Sequence, residues 1–440
     1  MNIILLSGGS GKRLWPLSND VRSKQFLKVL RAADGTHESM IQRMFRMIRE
    51  ADPDARIVVA TSESQVNSIR SLLGDVDISV EPERRDTFPA IALATAYLHD
   101  RCGVAADDTV VACPVDPYTE AGYFRTLLEM DEQARHGSNL TLMGINPTYP
   151  SAKYGYIFPE NEESICRVRA FKEKPTEEEA AGLIAEGALW NGGAFAFRLS
   201  YVLDLARTQF GFNTYDDLTS NYSTLPTTSF DYAVVETETD ISVVRYSGEW
   251  KDLGTWNTLT EAMPDEVSGT AKAVDCENTH IINELQLPLI AMGLKNIAVA
   301  ATPDGILVAD KHQSSYLKEH LKDQRPMVEK RAWGEYEVLD HRGQSTGNNS
   351  LTKHLRIKAG QHISYQTHQH RAETWVIVEG EGAVVLDGVV KPVHRGDTVV
   401  IPLGMKHAIR AITDVHIIEV QVGDRLTEED VEHLEWDWTV

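Results

Sequence analysis

The chain has 440 residues, 42% of them hydrophobic and 25% charged, the proportions of an ordinary globular protein with room for two or three domains. Its formal net charge of −22 excludes a general binder of nucleic acid or of anionic membrane, which such a charge would repel. An anionic small substrate would need a local cluster of basic residues.

The opening "MNIILLSGG" has no basic region ahead of its short apolar run, so no signal peptide is expected. Over residues 1–265, short apolar stretches such as "NIILLSG", "ARIVVATS", "DISVEP", "DTVVACPVD" and "LTLMGINP" read as buried strands. Amphipathic stretches such as "SQVNSIRSLLG" and "TFPAIALATAYLHD" read as the helices between them. That alternation predicts an α/β domain around a mostly parallel sheet, with its site where strands run out at their carboxyl ends. Residues 266–325 change texture: short strands broken by turn residues, then a polar helical connector, "KHQSSYLKEHLKDQRP". Residues 326–440 are β-patterned with closely spaced glycine turns and predict a small barrel. No apolar stretch nears the roughly 20 residues of a membrane span. Cys102, Cys113, Cys166 and Cys276 are far apart and read as reduced thiols of a cytoplasmic protein.

The stretch "LSGGSGKRLWPLSNDVRSKQFL", residues 6–27, supplies the basic cluster. Gly8, Gly9, Ser10 and Gly11 follow the first strand, so backbone N–H groups can converge on a phosphate. The spacing fits neither G-x-x-x-x-G-K-[ST] nor G-x-G-x-x-G, where Leu14 occupies the third glycine position. Arg13 and Lys24 beside such a nest suit a triphosphate losing pyrophosphate.

"GGSGKRLWPLS…SKQFL" resembles the signature of the sugar-1-phosphate nucleotidyltransferases, most closely the mannose-1-phosphate guanylyltransferases. The likeness continues in order through "EPERRDTFPAIALA", "CPVD", "GINPTYPSAKYGYI", "FKEKP", "WNGGAFAF", "FDYAVVE" and "WKDLGTW". In the last domain, "YQTHQHRAETWVIVEGEG" and "IPLGMKH" resemble the bifunctional enzymes that add a phosphomannose isomerase domain. The chain departs from the family pattern at Ser23, where proline is usual, at Asp86 and Phe88, at Pro117, and at Ala194. The fold implied is α/β: a Rossmann-like nucleotidyltransferase domain, a short β segment of left-handed β-helix character, and a C-terminal cupin β-barrel.

The resemblance implies attack by mannose 1-phosphate on the α-phosphorus of GTP. Arg13 and the loop amides would hold the outer phosphates, Lys24 would face the α-phosphate, and Arg85 would contact base or phosphates. Mg2+ is implied, with Asp116 and Asp252 as its carboxylates; taken alone, each aspartate is equally a turn residue. Gly155, Glu173, Lys174 and Asn191 would bind the sugar phosphate, although "FKEKP" alone reads as a solvated charged edge. Trp15 reads as packing. Oligomeric state is not readable, and a homodimer is one arrangement the sequence allows.

In the barrel, His368 and His370 form an H-x-H whose imidazoles would share a face if the run is a strand. With Glu373 and with His407 of "GDTVVIPLGMKH", which fits G-x5-P-x-G-x2-H, they make a candidate site for Zn2+ or another divalent metal. Gln366 is the alternative ligand. The domain would isomerise mannose 6-phosphate and fructose 6-phosphate, or serve as a non-catalytic cupin. Ala408 stands where the family has an arginine, and Arg371 or Arg410 are the cations available to replace it.

Overall fold

The computed structural model describes residues 1–9, 11–19, 22–321, 326–343 and 349–438. A nine-stranded sheet organises the first 265 residues. Its first four strands in spatial order are Asp77–Glu81, Arg56–Ser62, Asn2–Leu6 and Thr109–Pro114, and they pair in parallel. They are near-continuous apolar runs because both faces are covered, and Ile3, Ile4, Val58, Val110 and Val111 are fully buried. Helices Met40–Ala51, Thr87–Asp100 and Ala121–His136 connect or flank these strands.

The expectation of a mostly parallel sheet holds throughout this half; in the other, only Leu140–Ile145 and Ile241–Tyr246 pair in parallel. Strand Leu189–Arg198 enters antiparallel to both Thr109–Pro114 and Leu140–Ile145. Beyond it, Ile165–Lys172 pairs antiparallel with Ile241–Tyr246 and Tyr156–Pro159. The strand Leu189–Arg198 carries Asn191 into the middle of the sheet, where its pairing slips between Asn191 and Phe195.

Two short strands lie outside this sheet and matter to the site. Pro117–Thr119 pairs antiparallel with Trp250–Asp252, and Asp252 sits opposite Pro117. That register brings Asp116 and Asp252 side by side from positions far apart in the chain.

Residues 267–302 form stacked parallel coils: Val267–Gly269, His280–Asn283 and Ile297–Thr302 pair in register, and Ala271–Val274 pairs with Leu289–Met292. Strand Gly305–Asp310 closes the stack antiparallel to the last coil. The stack buttresses the glycine-loop segment. Thr302 Oγ1 donates to the Pro16 carbonyl at 3.1 Å, Asn19 Nδ2 donates to Asp304 at 2.7 Å, and Arg22 grips Glu284 with two bonds of 2.6 Å. Trp15 packs so closely on Gly305 that a Cβ there would lie 2.4 Å from its ring. The connector is a tight 3-10 helix over Gln313–His320.

The last hundred residues fold as two facing sheets. One has six strands, including Gly334–Arg342, Asn349–Ile357, Arg371–Glu379 and Val415–Gly423; the other has five, including Glu381–Leu386 and His407–Ala411. Alternating burial along Asn349–Ile357 and Val415–Gly423 is the period-two pattern of strands with one face on a core.

Candidate active sites

Two cavities adjoin at the carboxyl ends of the parallel strands. The larger, about 420 Å3, is lined by Gly8, Gly9, Glu81, Arg84, Thr87 and Asp231 among others. The smaller, about 210 Å3, is lined by Arg13, Tyr154, Asn191, Trp250 and Asp252. Lys24, Pro114, Asp116 and Gly193 belong to both walls.

Gly11 makes this junction possible. Its φ is +64°, and a Cβ there would lie 2.9 Å from Lys24 Cβ and 3.0 Å from Lys24 N, so only glycine fits. Lys24 is buried, and its Nζ lies 2.7 Å from Asp116 Oδ2 and 3.3 Å from Asp252 Oδ1. Burial works against the ammonium charge, but the two aspartates outweigh it and hold the Lys24 pKa above its ordinary value. The same ammonium overcomes burial at Asp116 and keeps that carboxyl below its usual range. Two carboxylates already sharing one cation are a donor set that suits a hard divalent ion.

Gly155, next in the chain to Tyr154 of the smaller cavity though outside both linings, allows Glu173 and Phe171 to close in: a Cβ would meet Glu173 Oε2 at 2.5 Å and Phe171 Cζ at 2.6 Å. Lys174 adopts φ +45°, a conformation disfavoured for a side chain of its size and most often retained at functional sites. Its Nζ lies 2.9 Å from Glu173 Oε1, while the buried Glu173 Oε2 has no hydrogen-bond partner. Asn191 N–H donates to the Gly155 carbonyl at 2.8 Å, tying these segments together.

The structure separates two neighbouring arginines. Arg85 turns away to Glu83 and to the Ser223 carbonyl and lines neither cavity, whereas Arg84 lines the larger one. Ser10 lies outside the described residues. Glu81, at the end of strand Asp77–Glu81, was not singled out by sequence reasoning, though "DISVEP" ends on it. It is buried in the larger cavity, accepts from Tyr222 Oη at 2.9 Å, and burial pushes its pKa up to about 7. Trp15 is packing, as read.

In the barrel, His368, Glu373 and His407 converge with ligand atoms within 4.8 Å of one another, all three residues buried. His407 Nδ1 faces the Met405 carbonyl at 3.0 Å and His368 Nδ1 the Asp430 carbonyl at 2.6 Å. A carbonyl only accepts, so each Nδ1 carries hydrogen, which leaves Nε2 as the nitrogen through which a neutral ring would bind a metal. His407 Nε2 is buried with no hydrogen-bond partner. Burial also lowers the His407 pKa, favouring the neutral imidazole that a metal needs. The donor set fits a divalent metal.

His370 is not part of it. Its ring is half exposed beside Asp424, at 3.2 Å. The alternation expected of a strand does not operate, because residues 368–370 form a bend between strands Tyr365–Thr367 and Arg371–Glu379. Gln366 stands closer to the cluster, its amide nitrogen 3.4 Å from His368 Nε2. An adjoining cavity of about 220 Å3 is lined by Gln366, Glu373, Lys353, Arg371 and Glu419. Arg371 is buried and donates to Glu373 at 3.0 Å, whereas Arg410 is exposed. Of the two candidate cations, Arg371 faces inward.

Comparison with known proteins agrees with this division. The family described as nucleotidyl transferase matches residues 2–269, and the family described as mannose-6-phosphate isomerase C-terminal matches residues 316–436. The chain is similar to the xanthan biosynthesis protein XanB of Xanthomonas campestris, 31% identical over 98% of this chain and 97% of the relative. It is similar to the mannose-1-phosphate guanylyltransferase of Salmonella montevideo, 30% identical over 97% of each. A crystal structure described as mannose-1-phosphate geranyltransferase from Thermus thermophilus, 27% identical, superposes with a TM-score of 0.61 over 72% of this chain and 97% of that one. No helix among the described residues is long and apolar enough to cross a membrane.

Proposed function

The chain belongs to the nucleotidyl transferase family and continues into a mannose-6-phosphate isomerase C-terminal domain, and from that premise we propose that it makes GDP-mannose by transferring GMP from GTP to mannose 1-phosphate. One observation carries the reading: Lys24 and Asp116 stand on the shared wall of two cavities, where a nucleotide and a sugar phosphate would meet.

A phosphate oxygen of mannose 1-phosphate attacks the α-phosphorus of GTP, and the bond from that phosphorus to the bridging oxygen of the β-phosphate breaks, releasing pyrophosphate. Both reactants are anions, so the protein's work is alignment and charge neutralisation. Lys24 meets the charge that builds at the α-phosphate. Arg13 and the amides of Gly8 and Gly9 hold the departing phosphates. Asp116 and Asp252 would hold Mg2+, which neutralises phosphate charge when bound. Glu81 faces the base: an ionised carboxylate can accept from both donors on guanine's Watson–Crick edge, which adenine does not offer. Glu173 accepts from sugar hydroxyls through its unpaired Oε2, and Lys174 binds the sugar phosphate.

The test is pyrophosphate release from four nucleoside triphosphates against a panel of sugar 1-phosphates. GTP with mannose 1-phosphate should give the highest kcat/KM; a different preferred pair would overturn the substrate assignment.

A second reading concerns the barrel, and the buried Nε2 atoms of His368 and His407, both turned to Glu373, favour it. With Glu373 and Gln366 these residues would hold Zn2+ or a similar ion, which polarises a sugar carbonyl when bound. Arg331, Lys353 and Arg371 line the adjoining cavity and are the cations that would grip a phosphate there. The domain would then interconvert mannose 6-phosphate and fructose 6-phosphate by moving a proton between C1 and C2. Fructose 6-phosphate formed by metal-loaded protein but not by a His407→Ala variant is the expected result; no conversion by either would leave the barrel a binding module.

A further inference from the structure

The motif "FDYAVVE" has no role in the chemistry so far, yet its first acid stands at the junction of the two cavities. Residues Asp231–Val235 form one turn of π-helix, an arrangement that occurs mostly at functional sites. Asp231 lines the larger cavity, beside Gly193, which lines both. Its Oδ1 accepts from Asn191 Nδ2 at 2.6 Å. At the other end of the same amide, Asn191 Oδ1 accepts from the Gly193 N–H at 3.1 Å. The Asn191 side chain is therefore held at both ends, and one Nδ2 hydrogen remains for a ligand. The next residue, Tyr232, has its ring centroid 5.7 Å from Lys174 Nζ, so the turn braces two of the groups assigned to the sugar phosphate.

We propose that Asp231 is a positioning residue for sugar-phosphate recognition, fixing the amide of Asn191 so that its free N–H and the unpaired Glu173 Oε2 meet hydroxyls of the sugar. The inference rests on the sugar 1-phosphate reading of the smaller cavity. Two further facts favour a functional over a structural role. Asp231 and Glu173 are acids close enough that burial, followed by the Glu173 charge, pushes the Asp231 pKa up to about 7. Such an unfavourable pairing is retained where a ligand makes use of it. Moreover, Asp231 offers an acceptor to one end of the amide while the Gly193 N–H offers a donor to the other, so the two together fix which end of Asn191 is N–H.

The test is a double-mutant cycle on Asp231→Ala and Asn191→Ala, read with whichever sugar 1-phosphate the substrate screen returns. Asp231→Ala should raise the KM for the sugar 1-phosphate about tenfold and leave the KM for the nucleotide within about twofold, as expected for loss of one oriented hydrogen bond. Asp231→Asn, which keeps an acceptor, should recover most of that loss. In an Asn191→Ala background, Asp231→Ala should add almost nothing, because its effect passes through the missing amide. Additive effects of the two substitutions, or equal rises in both KM values, would overturn the proposal. The screen decides the substrate and the cycle decides Asp231, so either can fail alone.

Discussion

Lys24 Nζ lies 2.7 Å from Asp116 Oδ2 and 3.3 Å from Asp252 Oδ1, so the lysine fills the place between two carboxylates that a divalent cation would take. On the proposed Mg2+ site, metal and ammonium would compete until the nucleotide arrives, and its phosphates would give Lys24 another partner. Replacing Lys24 by Met removes the competitor. Mn2+ binding without nucleotide, followed by electron paramagnetic resonance, should become tighter in Lys24→Met than in the parent. Guanylyl transfer should fall by roughly 10²–10³ in kcat, the usual cost of one preorganised electrostatic partner. Unchanged Mn2+ affinity would mean that the metal binds elsewhere.

Gly155 offers a steric test of the proposed sugar-phosphate contacts. A Cβ there would press on Glu173 Oε2 and Phe171 Cζ at 2.5 and 2.6 Å. Glu173 is anchored to Lys174 and cannot move without disturbing it. Gly155→Ala should cost about 1–3 kcal/mol of stability, as overpacking does, and raise the KM for mannose 1-phosphate while sparing that for GTP. Chemical denaturation and steady-state kinetics measure the two effects separately.

How much of this could be read in the sequence depended on how local each cause is. The parallel half of the sheet was legible because its strands are buried on both faces and read as apolar runs. Strand Leu189–Arg198 was not, because nothing local distinguishes an antiparallel entrant in a sheet from a parallel one. Gly11, Lys24, Asp116 and Asp252 were singled out through motifs, and the structure brings them together through the register of Asp252 against Pro117. Glu81 and Asp231, which line the larger cavity, escaped because their environment comes from distant segments: Tyr222 for one, Asn191 for the other. His370 was misplaced for a local reason. The period-two argument needs a strand, and residues 368–370 bend.

That bend makes a discriminating experiment in the barrel. His407→Ala removes an Nε2 with no other buried partner, and Glu373→Gln weakens the charge that the two imidazoles share. Either should sharply reduce the metal content of purified protein, measured by plasma mass spectrometry. His370→Ala should leave it unchanged, since that ring faces Asp424 at the surface. Gln366→Ala should lower it. A loss on His370→Ala equal to that on His407→Ala would contradict the assignment.

Glu81 gives a prediction in pH. Its folded pKa is about 7 against an ordinary 4.5, chiefly because burial disfavours the carboxylate. Between pH 4.5 and 7 the unfolded chain has released this proton and the folded chain still holds it. Unfolding therefore releases a proton, and stability falls as pH rises through that window, levelling off above 7. Asp231, also at about 7, acts in the same sense. The Glu81 contribution is of order 3 kcal/mol at most. Glu81→Gln should flatten part of the slope and make the protein more stable than the parent at pH 8, as measured by denaturant titration at several pH values. Function runs the other way. A carboxylate that accepts from guanine must be ionised, so kcat/KM for GTP should fall below about pH 7 in the parent. In Glu81→Gln that acid limb should disappear while kcat/KM for GTP at pH 8 drops, by about tenfold for one charge-assisted hydrogen bond. A variant with the same acid limb as the parent would show that some other group sets it and that Glu81 does not read the base.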